Sequence, residues 1–510
     1  MNRREFIKST AGLSMAGMLL ESSELMFGEV SASWDPPRVI HLRSDRVTTI
    51  MGEQGRLAAG LTNCTIVSGF ASPRESVTWT VNAPREDDYA VGLIFSSPGQ
   101  VQVELRSEHS VLEAQSLPRT WSGRPFYWRQ EIPGLLHLKK GTNQITFRLP
   151  EPKTGTPPAD CGKHPDAYLS KVFSLWSIEL GTPDVRKSEL EEARRIRGDA
   201  SWMIEGKYGQ FVHWAPECYP FQGDRPRWQW NERAVEIFDV KVFADAIERT
   251  GAAWIVFTMT HARYFYWPAP SEAVDHILPG RTAKRDLAGE IINELDRRGI
   301  RTLFYMDSCI RENQDPKWAQ ALGAHEADTT RFGANIEAIL RESSLRYGKK
   351  LHGYGYYDNT FSYDYPLEPP WGRWAQAIKA GNPSAVIGFS ANRGPDVSPF
   401  SELSTTDGGE SLAEPNLALI GPGGQLGNVT PAWWCYMDGW IVKHPMNGKI
   451  GDGPKHPAEV YVNYFRKMAE AKIPVTINLV ITADVTNKHP IFNQRSMAVM
   501  EQVRKAIRGA

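Results

Sequence analysis

Asp358 closes an apolar and aromatic run, Leu351-His352-Gly353-Tyr354-Gly355-Tyr356-Tyr357, and a carboxylate at the end of such a run is costly to bury without a partner. An aspartate in that place either caps the next helix or turn or takes part in chemistry. Cleavage of a glycosidic bond needs two carboxyl groups, one to attack the anomeric carbon or activate water and one to protonate the departing oxygen. Glu410 in Thr406-Asp407-Gly408-Gly409-Glu410 is the first candidate for the second group, with Glu402 and Glu414 as rivals and a solvated loop glutamate as the plain alternative. Arg393 follows the apolar run 385–391 and can donate two hydrogen bonds to vicinal hydroxyls or hold a carboxylate. His213 and His261 end two further runs, and histidines near neutral pH can bind hydroxyls as donors or acceptors.

Something must bring these groups together. After Trp202 the pattern is one of strand-length apolar runs, at 208–214, 252–259, 300–307, 353–359, 385–391, 433–442 and 473–481, with a weaker one near 401–406. Helix-period segments lie between them. Residues 285–298 place Leu287, Ile291, Ile292 and Leu295 on one face and stop at Gly299, and 457–472 ends before Pro474. Alternating strand and helix implies parallel strands joined by right-handed crossovers. Eight such strands over about 300 residues fit a (β/α)8 barrel, while a doubly wound sheet would need a glycine-rich phosphate loop that is missing here. In a barrel the reactive side chains belong at the C-terminal strand ends. Those ends carry His213-Trp214, His261, Asp307, Asp358, Asn392-Arg393, Asp407 with Glu410, and Asn478.

From 34 to 180 the period is two: Val101, Val103 and Leu105 alternate with polar residues, as do Ile145, Phe147 and Leu149. Turn signals such as Ser97-Pro98-Gly99 and Lys140-Gly141-Thr142 separate the runs. No long helical stretch interrupts them, which predicts an all-β sandwich of either sugar-binding or structural use. The charged segment 184–198 reads as an exposed helix or linker with no chemistry in it. The expected fold is therefore α/β, with an export signal at 1–32, a β-sandwich at 33–183, a linker at 184–199 and a (β/α)8 barrel at 200–510.

The 510 residues carry 58 Lys and Arg against 59 Asp and Glu, a net charge of −1, which offers no field for nucleic acid or an anionic membrane and suits a neutral substrate. Seventeen tryptophans, several beside polar residues as in Trp228-Gln229-Trp230-Asn231 and Trp433-Trp434, can stack on sugar rings or fill a core. The N-terminus, Asn2-Arg3-Arg4-Glu5-Phe6-Ile7-Lys8 followed by a short apolar run and Val30-Ser31-Ala32, has the order of a twin-arginine export signal. A periplasmic or secreted mature protein is expected, with no membrane span. The five cysteines, Cys64, Cys161, Cys218, Cys309 and Cys435, are too scattered for a metal site or a disulfide framework, though Cys64 and Cys161 could pair. No metal or organic cofactor is expected.

Taken in order, these residues resemble the retaining α-L-fucosidases. Lys207-Tyr208-Gly209-Gln210-Phe211-Val212-His213-Trp214 is similar to that family's opening strand, usually Lys-Phe-Gly-Ile-Phe-Ile-His-Trp-Gly. Thr258-Met259-Thr260-His261-Ala262-Arg263-Tyr264-Phe265 stands where the family has Lys-His-His-Asp-Gly-Phe, and Tyr356-Tyr357-Asp358 where it carries its nucleophile. Asn392-Arg393, Asp407 to Glu410, and Thr476-Ile477-Asn478-Leu479 follow collinearly, so the resemblance covers residues 200 to 508. It implies a (β/α)8-like barrel that cleaves terminal α-L-fucosyl or closely related bonds of an oligo- or polysaccharide by double displacement. It also implies Asp358 as nucleophile, Glu410 as acid/base, and His213, Trp214, Gln229, Trp230, His261, Tyr305, Tyr356 and Arg393 as substrate-binding residues. The departures are Ala262, Arg263 and Tyr264 in the histidine motif and Gln229 where a Glu is usual. They leave open another hexose, an endo-acting hydrolase of a fucose-rich or sulfated polysaccharide, or a non-catalytic sugar-binding barrel.

Overall fold

The computed structural model describes residues 39–509 apart from gaps, the longest at 118–127, 152–172, 215–226, 359–368, 390–397, 415–428 and 440–452. The expected export signal at 1–32 and the cysteines Cys64, Cys161 and Cys218 lie outside the described residues.

The N-terminal region forms two six-stranded sheets. One contains Ser76–Ala83, Gly141–Arg148, Val101–Arg106 and Val111–Leu117; the other contains Trp128–Leu138, Asp87–Ser96 and Ser174–Gly181. Neighbours are antiparallel, except that Ile40–His41 runs parallel to Ser76–Ala83. The period of two turns Val103, Leu105, Ile145 and Phe147 inward. Phe173 lies between Phe147 of one sheet and Phe95 of the other, near-parallel to both at ring-centroid distances of 5.8 and 5.7 Å, so the two sheets share a core.

Helix α1 (Pro183–Ile196) takes the helical alternative expected of the charged segment, and it is anchored at both ends. Its Arg186 is 4% exposed and donates from Nη1 to Glu179 Oε2 at 3.0 Å, while Arg129 donates from Nη2 to the same oxygen at 2.7 Å. Burial alone would push the Glu179 carboxyl up; the two guanidiniums bring it down to about 2. At the other end Arg197 donates to the carbonyls of Pro399 and Ser401 at 3.0 and 3.2 Å. A charged helix reads as solvated in sequence because its partner, Glu179, is brought beneath it only by the fold.

Beyond α2 (Ser201–Gly206) comes an eight-stranded parallel sheet: β1 (Tyr208–Val212), β2 (Trp254–Thr260), β3 (Arg301–Asp307), β4 (Leu351–Asp358), β5 (Val386–Phe389), β6 (Leu403–Gly409), β7 (Thr430–Tyr436) and β8 (Val475–Asn478). The order β5-β4-β3-β2-β1-β8-β7-β6 places the first and last strands side by side and curls the sheet. Each of the eight expected runs overlaps one of these strands. Between them lie α3 (Arg227–Ile237), α4 (Val240–Thr250), α5 (Glu272–Ile277), α6 (Leu287–Arg297), α7 (Pro316–Leu322), α8 (Thr330–Tyr347) and α9 (Trp371–Ile378), followed by α10 (Ala458–Glu470) and, after β8, α11 (Gln494–Arg508). Helix α6 shows why the sequence folds this way: Asp286 caps it by accepting from Gly289 N, Leu287, Ile291, Ile292 and Leu295 are buried, and Gly299 ends it at φ +70°.

Strands β5 and β6 meet at Glu402, which precedes β6. Its backbone N donates to Ile387 O and its Oε2 accepts from Ile387 N, both at 2.8 Å. Its backbone O accepts from Thr430 N, and its Oε1 accepts from Gly198 N and Lys379 Nζ, all at 2.8 Å. A carboxylate thus supplies acceptors that a longer strand edge would otherwise provide.

Inside the curl, Phe211, Val256, Leu303, Tyr305, Leu403 and Trp434 form one apolar cluster. Trp254 fits under β1 because residue 209 is glycine: a Cβ there would lie 2.3 Å from the indole. The outward side of β1 holds an exception. Gln210 is fully buried and neither amide atom has a hydrogen-bond partner. A buried unsatisfied polar group costs about 1–3 kcal/mol, so Gln210→Ile should stabilise the protein by that order. The expected readout is a higher urea midpoint at unchanged m-value; a lower midpoint would mean that the amide is satisfied in solution.

Candidate active site

His213 follows β1 and is 1% exposed. Its Nδ1 lies 2.8 Å from Oδ1 of Asn478, the last residue of β8, whose Nδ2 donates to Gly439 O at 2.7 Å. The imidazole stacks on Phe211 at 4.0 Å between centroids, and the Trp434 indole lies near-parallel to it at 5.5 Å. His261, just past β2, stands at right angles at 5.4 Å, and Tyr305 of β3 lies 5.6 Å from His213 and 5.9 Å from His261. Residues of β1, β2, β3 and β7 therefore make one wall at the C-terminal end of the sheet, where a barrel collects its chemistry. Burial pushes the His213 pKa well below its ordinary value, the neighbouring His261 adds to this, and the Asn478 bond opposes it only in part. These surroundings favour the neutral ring.

Beside this wall, β3 and β4 end together, with Asp307 the register partner of Asp358 and Tyr305 the register partner of Tyr356. Asp307 is 1% exposed, and its Oδ1 accepts from Cys309 N at 2.7 Å. Its backbone is tied to β2: Thr260 Oγ1 donates to Asp307 O at 2.7 Å and accepts from Asp307 N at 3.1 Å. Cys309 has φ +52°, a conformation that costs a non-glycine residue roughly 1–2 kcal/mol and collects at functional sites. Asp307 was legible as a strand-end carboxylate but was not selected; adjacency to Asp358 is a property of register that only the fold reveals.

The other expected residues divide. Trp214 does not face the site: it is 1% exposed and packs against Phe238, edge-on at 5.1 Å, and Phe257 at 6.0 Å, between sheet and helices. The physical reason is the strand period, since the neighbour of an inward His213 must point outward. Gln229 and Trp230 lie on α3, and Tyr356 and Asp358 on β4. Their side chains, like the whole of Glu410 and Arg393, lie outside the described residues. Among the rival carboxylates, Glu402 is used at the β5–β6 seam and Glu414 is exposed and paired with Lys467 at 2.5 Å.

The loops under the site are pinned together. Arg281 holds Asp315 through two bonds of 2.6 and 3.1 Å, and Asp315 Oδ2 accepts from Phe265 N at 3.0 Å, four residues past His261. Trp318 stacks on Phe265 at 3.7 Å and donates to Ser308 O at 3.0 Å, next to Asp307. Glu232 of α3 accepts from the Tyr266 hydroxyl and from Lys284 N, which ties the helix bearing Gln229 and Trp230 to the same loop. Among the described residues, no group of three or more His, Cys, Asp or Glu is placed to hold a metal ion, and Cys309 and Cys435 are buried. No described helix is long and apolar enough to cross a membrane.

No family model and no curated protein matches the chain. It is similar to solved structures that include the α-L-fucosidase AlfC of Lactobacillus casei with α-L-fucose product, at 12% identity and TM-score 0.42, over 60% of this chain and 96% of that one. A GH29 α-L-fucosidase of Bacteroides thetaiotaomicron gives 15% identity and TM-score 0.42, over 61% and 74%. A bacterial fucosidase with a monovalent iminocyclitol inhibitor gives 14% and 0.43, over 61% and 75%. At this level of identity, function has to be read from the chain's own residues.

Proposed function

We propose that this chain is a retaining glycoside hydrolase of the α-L-fucosidase type, acting on terminal α-L-fucosyl or closely related bonds, exported by its twin-arginine segment. The curled parallel sheet is read as a (β/α)8 barrel, since its strand order is cyclic and Glu402 bridges β5 to β6, and the two N-terminal sheets as a β-sandwich. One observation carries the function: a histidine, tyrosine and tryptophan wall stands beside the strand end that carries Asp358. Aromatic faces and imidazoles suit the C–H faces and hydroxyls of a sugar.

In the proposed reaction an Asp358 oxygen bonds to the anomeric carbon as the glycosidic C–O bond breaks, and Glu410 gives its proton to the departing oxygen. Glu410 then takes a proton from water, whose oxygen attacks the same carbon and releases Asp358. His213 and Tyr305 orient the ring. The two inversions leave the anomeric configuration unchanged.

Aryl α-L-fucoside is the first substrate to test, within a panel of aryl glycosides. The first sugar released, followed by NMR, should be the α-anomer. Glu410→Ala should retain a rapid first release of acidic leaving groups followed by slow turnover, since the base for water is gone, and lose cleavage of poor leaving groups by roughly 10²–10⁴-fold, the usual weight of general acid catalysis. A β-anomer as first product overturns double displacement, and no turnover across the panel overturns the hydrolase reading.

A further inference from the structure

Helix α2 forms the floor of the curled sheet, at the strand starts. Met203 is 1% exposed and enters the apolar cluster inside the curl, where with Leu403, Ala432 and Trp434 it lines a cavity of about 20 Å³. An unfilled space gives Met203 fewer contacts than a packed core would, so more of the hold on α2 falls to its neighbour. That neighbour, Trp202, is half-buried and packs edge-on to Trp254, the first residue of β2, at 5.8 Å between centroids.

Two groups that can each carry positive charge meet Trp202 from adjacent strands. The guanidinium of Arg301, which opens β3, lies 4.5 Å from the indole centroid, a cation–π contact. The ring of His352, the second residue of β4, stands 6.1 Å away at 62° to the indole. Its Nδ1 is buried and makes no hydrogen bond, which suits the bare nitrogen of a neutral ring better than the N–H of a charged one. Burial holds the His352 pKa below its ordinary value and the Arg301 charge adds to this; Asp296 of α6 and the carbonyls of Lys350 and Thr302 oppose it only in part. The other charges at the floor are engaged: Lys350 Nζ lies 3.6 Å from Asp296 Oδ2, and Asp199 accepts from Ser201 N and Oγ at 2.8 and 2.9 Å.

We propose that α2 is an acid-sensitive plug in the floor of the sheet, latched by the packing of Trp202 against Arg301 and an uncharged His352. Protonation sets a second cation beside an indole whose face is already taken by Arg301, in a place with little water to solvate it. Lifting Trp202 lets water reach the imidazolium and separates the two charges. The undocked state therefore binds the proton more tightly than the docked one. The latch holds above the ordinary imidazole range, about pH 6.5, and weakens as pH falls below it. None of this depends on the hydrolase reading, since α2 lies at the end of the sheet opposite His213 and Asp358.

Amide hydrogen exchange read by mass spectrometry tests the plug without any substrate. The peptide 200–207 is followed against that of α4, each corrected for the intrinsic pH dependence of exchange. Between about pH 7.5 and about pH 5, protection of α2 in the unaltered protein should drop about tenfold, the weight of one unit of pKa difference between docked and undocked ring, while that of α4 holds. His352→Gln cannot take the charge and should keep α2 protected at both pH values. Arg301→Gln removes the neighbouring charge and should move the midpoint of the drop to higher pH. Level protection in the unaltered protein overturns the proposal, as does an equal drop in His352→Gln. If His352→Gln is already unprotected at neutral pH, the Arg301→Gln midpoint decides: one that stays in place or moves to lower pH rules the latch out.

Discussion

Asp358→Asn is expected to lower kcat by on the order of 10⁴-fold with the fold intact, because the residue supplies the covalent bond that divides one difficult displacement into two. Asparagine has nearly the same shape and no nucleophilic oxygen. Stability should not fall, since asparagine keeps the size and shape of the side chain at this strand end. Asp358→Ala should show the same loss and recover turnover when azide is supplied, giving a glycosyl azide of inverted configuration, because a small anion can occupy the space of the missing carboxylate. Unchanged activity in both variants would remove Asp358 from the reaction. A loss accompanied by a large drop in unfolding midpoint would make the residue structural.

The second large effect concerns folding. Glu402→Ala is expected to destabilise the protein by about 3–5 kcal/mol, the cost of removing one partner of a buried ion pair. Lys379 would be left charged and buried, and the N–H groups of Gly198 and Ile387 would lose their acceptor. Pairing the change with Lys379→Met should return part of the loss, because the orphaned ammonium is then gone. Urea unfolding of the four proteins of this cycle measures it; a loss under about 1 kcal/mol in Glu402→Ala would show that the seam does not depend on the carboxylate.

Strands and helices were legible where burial imposes a period, as in β1 to β4 and α6. The β6 segment was faint because Ser404-Thr405-Thr406-Asp407-Gly408-Gly409 offers little apolar side chain, and part of its pairing comes from Glu402 instead. Moving the strand from the expected 401–406 to Leu403–Gly409 puts Glu402 before its first residue. That is the end of the sheet opposite the reactive groups, so a rival acid/base becomes a seam residue. His213 and His261 are legible as strand-end residues and Tyr305 through the family resemblance, and the fold brings the three rings together. Trp214 was drawn in by its motif although it adjoins an inward histidine and so must face the helices. Asn478 and Trp434 join the wall through register with β1 and through stacking across the curl, relations between distant segments that no local pattern carries. The anchoring of helix α1 through Arg186 is hidden from sequence for the same reason, its buried partner being supplied by another element.

Helix α1 has a bearing on how the chain can be divided. Its first turns neutralise a carboxylate sunk in the N-terminal sheets, while Arg197 and Gly198, just past its end, grip the backbone and carboxylate at the place where β5 meets β6. A cut within 183–198 therefore severs a shared strut: the front fragment keeps Glu179 but loses the anchor at the far end, and the rear fragment exposes the flank of its closing strands. Neither half would inherit a finished surface, and gene fusions or trimmed versions that treat the segment as a spacer should yield aggregation-prone pieces.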